Sequence, residues 1–164
     1  MQYTGLLYRA LNPRWARNPL SGEGAARYGG RFNRIGQPAL YTSLAPETAL
    51  REANQVGTLQ PTMLVAYEAD IGPLLDGRDA TALRAFGITR DELAHASWRD
   101  RMLTGQAVLT HDLAHAAILK GYRGLIVPSF ARGAPPEALN AVLWKWDECL
   151  RLVDDDDRLG LRES

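Results

Sequence analysis

The chain has 164 residues, 46% hydrophobic and 23% charged, with 19 basic side chains against 19 acidic ones. That size and apolar fraction suit one globular domain with a full core, residues 1–164. The balanced charge excludes a global field that draws the chain to nucleic acid or an anionic membrane. One cysteine, Cys149, excludes an internal disulfide and a multi-cysteine metal site. No run approaches the ~20 apolar residues of a membrane span. MQYTGLLYRAL lacks the basic start and apolar region of a signal peptide. The expected compartment is the cytoplasm.

In chain order, GLLYRAL, 5–11, predicts a short strand that ends near Asn12-Pro13, with Tyr8 and Arg9 on opposite faces. Arg9 reads either as an exposed strand-end arginine or as an anion ligand. Residues 12–30 carry Pro13, Pro19, Gly22, Gly24, Gly29 and Gly30 and read as a long loop. Its Arg14, Arg17 and Arg27 suit a phosphate-bearing ligand or plain solvent. GGRFN follows, in which two glycines deliver Arg31 beside Phe32 and Asn33. ALYTS, 39–43, is a strand, and a helix over 45–56 follows at once. Thr42 or Ser43 can cap it, Pro46 suits its first turn, and Glu47 complements its positive end. At about 100° per residue, Ala45, Ala49, Ala53 and Val56 form a narrow apolar stripe with Glu52 in its middle. The pattern turns a carboxylate toward the protein. Such a group is either paired in the core with an arginine or functional.

Residues 62–71, TMLVAYEADI, read as a central strand, and 72–88 as an interrupted connection with a helical piece near 81–85. Thr89 and Glu92 form a capping box for a helix reaching about Leu103. A further helix covers 110–120, closed by Gly121. His111 and His115 are four apart on it; with His95 they make three histidines, without HExxH or nearby acid ligands, which argues against a metal site. GLIVPS supplies a buried strand with Ser129 at its end, either a turn residue or an active-site residue, and without the GxSxG elbow of a hydrolase. NAVLWKW and CLRLVDD read as a closing pair of strands around 146–148. DDDD, 154–157, is a solvated acidic turn without EF-hand spacing. The expected fold class is α+β: a mainly antiparallel sheet split around a cleft, with peripheral helices 45–56, 90–103 and 110–120.

Arg31 in GGRFN, Glu52 behind ALYTS and Ser129 in GLIVPS stand in order with YR at 8–9, LSGEGAARYGGRFN at 20–33, YTS at 41–43 and NAVLW at 140–144. In these motifs, over nearly its whole length, the chain resembles RES-domain proteins, the toxin half of bacterial type II toxin–antitoxin pairs, named for arginine, glutamate and serine. Phe32 stands where tryptophan is common in that family.

The resemblance implies an ADP-ribosyltransferase-like fold and an enzyme that consumes NAD+. It implies cleavage of the nicotinamide–ribose bond, with ADP-ribose passed to water, phosphate or a host protein, so that growth stops. The implied partner is a cognate antitoxin with a helix-turn-helix DNA-binding domain, whose C-terminal part blocks the active site; a homodimer within that complex is compatible with it. Residue chemistry agrees. Breaking a glycosidic bond builds positive charge on the ribose, and an inward Glu52 can stabilise it. Arg31, helped by Arg9, can fork a pyrophosphate. Tyr41 can stack on nicotinamide. Ser43 and Ser129 can bond the ribose or position Glu52, and Asn33 joins the NAD+-contacting set. Without GxGxxG, NAD+ is a substrate rather than a hydride carrier, and no metal is required. Two alternatives stand beside this: a non-catalytic binding module in which Arg31 and Glu52 are a core ion pair, and a ribonuclease toxin using His95, His111 or His115.

Overall fold

The computed structural model describes residues 1–55 and 60–153. Alternation along the strands builds two cores on one sheet. In β5 (Gly124–Pro128), Leu125 and Val127 enter one apolar cluster while Ile126 enters the other. In β6 (Leu139–Leu143), Val142 faces the first cluster and Ala141 and Leu143 the second. The remaining strands are β1 (Tyr3–Leu11), β2 (Leu40–Ser43), β3 (Met63–Ile71), β4 (Leu74–Asp76) and β7 (Leu150–Leu152). They join in the order β4-β5-β6-β2-β1-β3-β7, antiparallel throughout except for β4 beside β5.

The sheet curls. Leu74, on one edge strand, shares a cluster with Tyr67 and Ile71 of β3, near the other edge. The Met1 amine and carbonyl also bond the Leu74 backbone, at 2.8 and 2.7 Å. Leu7, Leu40, Ala141 and Leu143 fill the inside of this curl. The other face is covered by helices: Leu83 of α3 (Ala80–Arg84), Leu93 of α4 (Arg90–Ala94), and Leu113 and Ala117 of α6 (Leu109–Leu119). Each fully buried leucine contributes about 1.5–3 kcal/mol.

One seam differs from the rest. β1 and β2 share a single register pair, Tyr8↔Ser43, whereas β1 and β3 pair from Tyr3↔Ile71 to Leu11↔Met63. α2 (Pro46–Ala53) leaves β2 and packs across both strands of that seam. The expected α+β class, mainly antiparallel sheet and outer helices are therefore found. No helix among the described residues is long and apolar enough to cross a membrane.

Several local expectations are corrected. The 12–30 segment holds a 3-10 turn, Pro13–Trp15, and α1 (Glu23–Tyr28), which Gly29 ends at φ 72. Glycines at 22 and 24 hide this helix from propensity, and its ends are fixed by tertiary bonds such as Gly36 N–H to Ala26 O at 2.8 Å. The 72–88 connection includes β4, too short to show alternation and visible only through its parallel pairing with β5. The 90–103 helix is two helices, α4 and α5 (Trp98–Leu103). His95 breaks it at ψ 135, where the Arg31 side chain takes the carbonyls of Leu93 and His95. β6 and β7 do not pair: β6 lies between β5 and β2, and β7 joins β3. Neither Thr42 nor Ser43 caps α2. Their hydroxyls bond across to β6, at Ala141 O and Asn140 Oδ1, and Ala45 takes the N-cap position without a side-chain bond. The buried face of α2 includes Thr48 with Ala49, while Ala53 is exposed. Val56 of the expected stripe and the 154–157 aspartates lie outside the described residues.

Candidate active site

The GGRFN turn is clamped from every side. Gly30 N–H donates to Asn33 O at 2.9 Å and closes the turn. Gly30 O meets His111 Nε2 at 2.6 Å, Arg31 O accepts from the Thr110 hydroxyl, and Phe32 O accepts from Trp144 Nε1 at 2.9 Å. Phe32 N–H donates to the Tyr41 hydroxyl at 3.0 Å, which in turn donates to Asn33 Oδ1 at 2.6 Å. Asn33 Nδ2 reaches Ala25 O at 2.8 Å and Gln37 O at 2.9 Å. Gly30 is required by space: a Cβ there would sit 2.5 Å from the Tyr41 hydroxyl oxygen and 2.8 Å from Asn33 Oδ1. Burial pushes the Tyr41 phenol far above its ordinary range, so it stays a donor. Burial likewise pushes His111 below its usual value, against the pull of its bond to Gly30 O; it serves as a neutral strut.

This frame holds Arg31 with one face on aromatic rings. Its guanidinium carbon lies 4.8 Å from the Phe130 ring centroid and 5.8 Å from that of Trp98. Nη1 donates to His95 O at 2.9 Å and Leu93 O at 3.4 Å, which leaves Nη2 and Nε without a protein partner among the described residues. Burial lowers its pKa, and the nearby Glu52 carboxylate opposes that shift; an arginine so placed remains a cation.

Glu52, half-buried on α2, is held by one oxygen. Ser129 Oγ donates to Oε1 at 2.6 Å and Asn140 Nδ2 at 2.7 Å. Ser129 Oγ also accepts from Ala131 N–H at 3.3 Å. Glu52 and Arg31 do not form an ion pair, so the core-pair reading of these two residues is set aside; the three ion pairs among the described residues lie elsewhere and are exposed. Both line a cleft of about 690 Å³ together with Arg9, Arg14, Arg99 and Tyr41. Glu52 is the sole carboxylate in that lining, against four arginines. A chain of zero net charge therefore concentrates positive potential in this cleft. A second cavity, of about 310 Å³, opens at the β1–β2 seam and shares Arg9, Tyr41, Glu52 and Asn140 with the first.

The family can now be stated. The RES domain profile matches residues 6–159. This chain belongs to the RES domain family. No curated protein sequence gives a significant match. Among solved structures the fold is similar to a chain of the crystal structure of the M. tuberculosis MbcT-MbcA toxin–antitoxin complex, with a TM-score of 0.63 and 23% identity over 94% of this chain and 84% of that one.

This RES domain brings most of the sequence-derived site residues together: Arg9, Arg31, Tyr41 and Glu52 in the cleft wall, and Ser129 on Glu52. Arg9 also donates to Pro19 O and Ser21 O, at 3.2 and 3.4 Å, and so ties the cleft loop to β1. Ser43 is 3% exposed, its hydroxyl committed to Asn140. Asn33 is 0% exposed, its amide nitrogen bonded to Ala25 O and Gln37 O and its amide oxygen to the Tyr41 hydroxyl, so it holds the wall rather than offering a contact. The histidines are not gathered: His111 is in the clamp, His115 exposed on α6, and His95 accepts from Ser97 N–H at the helix break. No group suited to a metal ion exists among the described residues. Asn140, Phe130 and Trp98 were not legible as site residues. Asn140 is the second residue of β6 and opens the NAVLW motif, which marked the segment but gave that residue no role.

Proposed function

We propose that this RES domain is the toxin of a toxin–antitoxin module and acts as an ADP-ribosyltransferase-like enzyme on NAD+. One observation carries the reading: an oriented carboxylate, Glu52, faces the same arginine-lined cleft as Arg31 on its clamped turn. The cleft volume suits a dinucleotide with its pyrophosphate on Arg31 and Arg9. Departure of nicotinamide with the glycosidic electron pair leaves an oxocarbenium-like ribose, which the Glu52 carboxylate stabilises. An acceptor oxygen or nitrogen then bonds to that carbon: water, phosphate or a host protein side chain. Depletion of NAD+ or modification of a host protein stops growth. A cognate antitoxin, carrying a helix-turn-helix DNA-binding domain, neutralises the toxin by placing an acidic segment in the cationic cleft. The fold of the M. tuberculosis toxin–antitoxin structure supports this partner class.

The test is nicotinamide release from NAD+ by purified, antitoxin-free protein. Glu52→Gln keeps shape and hydrogen-bond acceptance from Ser129 and Asn140 but removes the charge. It should retain the wild-type melting curve and lose about 10²–10³ in rate. Arg31→Ala should raise KM, because pyrophosphate binding is present in ground and transition states alike. No release by the wild type, or equal turnover by Glu52→Gln, refutes the mechanism.

A further inference from the structure

We propose that Asn140 is a positioning residue: with Ser43 behind it, it fixes the orientation of the Glu52 carboxylate. This deepens the reading of Glu52 as the working carboxylate and rests on it.

The argument starts from strand register. Ser43 and Asn140 are directly opposed on β2 and β6. Ser43 Oγ donates to Asn140 Oδ1 at 2.7 Å, which turns the amide oxygen toward β2. The amide nitrogen is thereby turned to Glu52 and donates to Oε1 at 2.7 Å. A carboxylate accepts only, so an amide locked with its N–H₂ toward it fixes where that oxygen sits. Ser129 donates to the same oxygen at 2.6 Å. Both protein bonds thus fall on Oε1, and Oε2 has no protein partner among the described residues. A carboxylate with one oxygen fixed and the other free is what a ribose hydroxyl and a developing ribose cation require.

Other groups also act on the Glu52 charge. β1 brings Tyr8 and Arg9, β2 brings Tyr41, the turn brings Arg31, and Arg14 and Arg99 stand at the cleft wall. Arg51 and Glu47 lie on its own helix, and Arg132 follows the Ser129 loop. These groups surround Glu52 whatever stands at 140, so the role of Asn140 is read as a difference between variants.

The experiment compares the wild type, Asn140→Leu and Ser43→Ala in two readouts: the Glu52 side-chain conformer in the ligand-free crystal structure, and kcat and KM for nicotinamide release. Asn140→Leu removes the donor at nearly constant volume, so Glu52 should leave its wild-type conformer and kcat should fall about 10-fold to 10²-fold with KM little changed. Ser43→Ala frees the amide to turn and should do the same to a smaller degree. If Asn140 only supports the fold, Asn140→Leu lowers the melting temperature and leaves the Glu52 conformer in place, and the proposal fails. Should Asn140→Leu not fold, Ser43→Ala decides: an unchanged Glu52 conformer overturns the relay. A wild type that releases no nicotinamide refutes the NAD+ reading alone, because the conformer still decides the relay.

Discussion

Tyr41→Phe removes one oxygen and keeps the ring. That oxygen accepts from Phe32 N–H at 3.0 Å and donates to Asn33 Oδ1 at 2.6 Å. Phe32 and Asn33 are 2% and 0% exposed, so water cannot replace it without the turn opening. Each orphaned buried group costs about 1–3 kcal/mol, and partial relaxation puts the pair at about 2–4 kcal/mol. For a domain of this size that is a fall of roughly 5–12 °C in Tm, against a total stability of about 5–15 kcal/mol. The phenol is held well above its ordinary pKa by burial, so the deficit should be the same at about pH 6 and about pH 9. Urea denaturation measures the stability loss, and nicotinamide release measures its consequence: a loosened turn presents Arg31 poorly and KM rises. The ring, and any stacking on nicotinamide, is unchanged. A Tyr41→Phe protein within ~0.5 kcal/mol of wild type would refute the clamp, and normal stability with a raised KM would move Tyr41 into direct substrate contact instead.

Two further predictions test the same frame. Gly30→Ala puts a methyl 2.5 Å from the Tyr41 oxygen, so it should cost about 1–3 kcal/mol in urea melts and lower turnover with it. His111 is held below its ordinary pKa by burial, so the unfolded chain takes up its proton first as pH falls. Its stabilising contribution is present above about pH 6.5 and is lost as pH falls from there toward the depressed folded value. His111→Gln should flatten that slope between about pH 5 and pH 7 in denaturation midpoints; an unchanged slope would remove His111 as its source.

Local rules carried far along this chain. The Thr89–Glu92 capping box forms as the spacing requires, and Pro46 and Glu47 open α2. Leu125–Val127 is a buried strand, and Glu52 does turn inward. These follow from period, cap chemistry and proline geometry, each of which acts within a few residues. The Arg–Glu–Ser order that carries the family resemblance is likewise linear information. It drew attention to three positions 21 and 77 residues apart, and two of them meet at the 2.6 Å bond from Ser129 to Glu52.

What needed the tertiary structure is whatever depends on a partner distant in sequence. The break between α4 and α5 has no glycine or proline to announce it; it exists where Arg31, 64 residues away, takes the His95 carbonyl. Thr42 and Ser43 look like caps in isolation, yet β6 competes for both hydroxyls across separations of 99 and 97 residues. Asn33 sits beside Arg31 in the sequence but is turned into the wall, while Asn140, 88 residues beyond Glu52, supplies the bond that Asn33 does not. Residue types and their order determined which chemistry this chain carries. The curl of the sheet and the loosely paired β1–β2 seam decided which side chains meet, because hydrogen bonds and charges act over a few ångströms in space and are indifferent to distance along the chain.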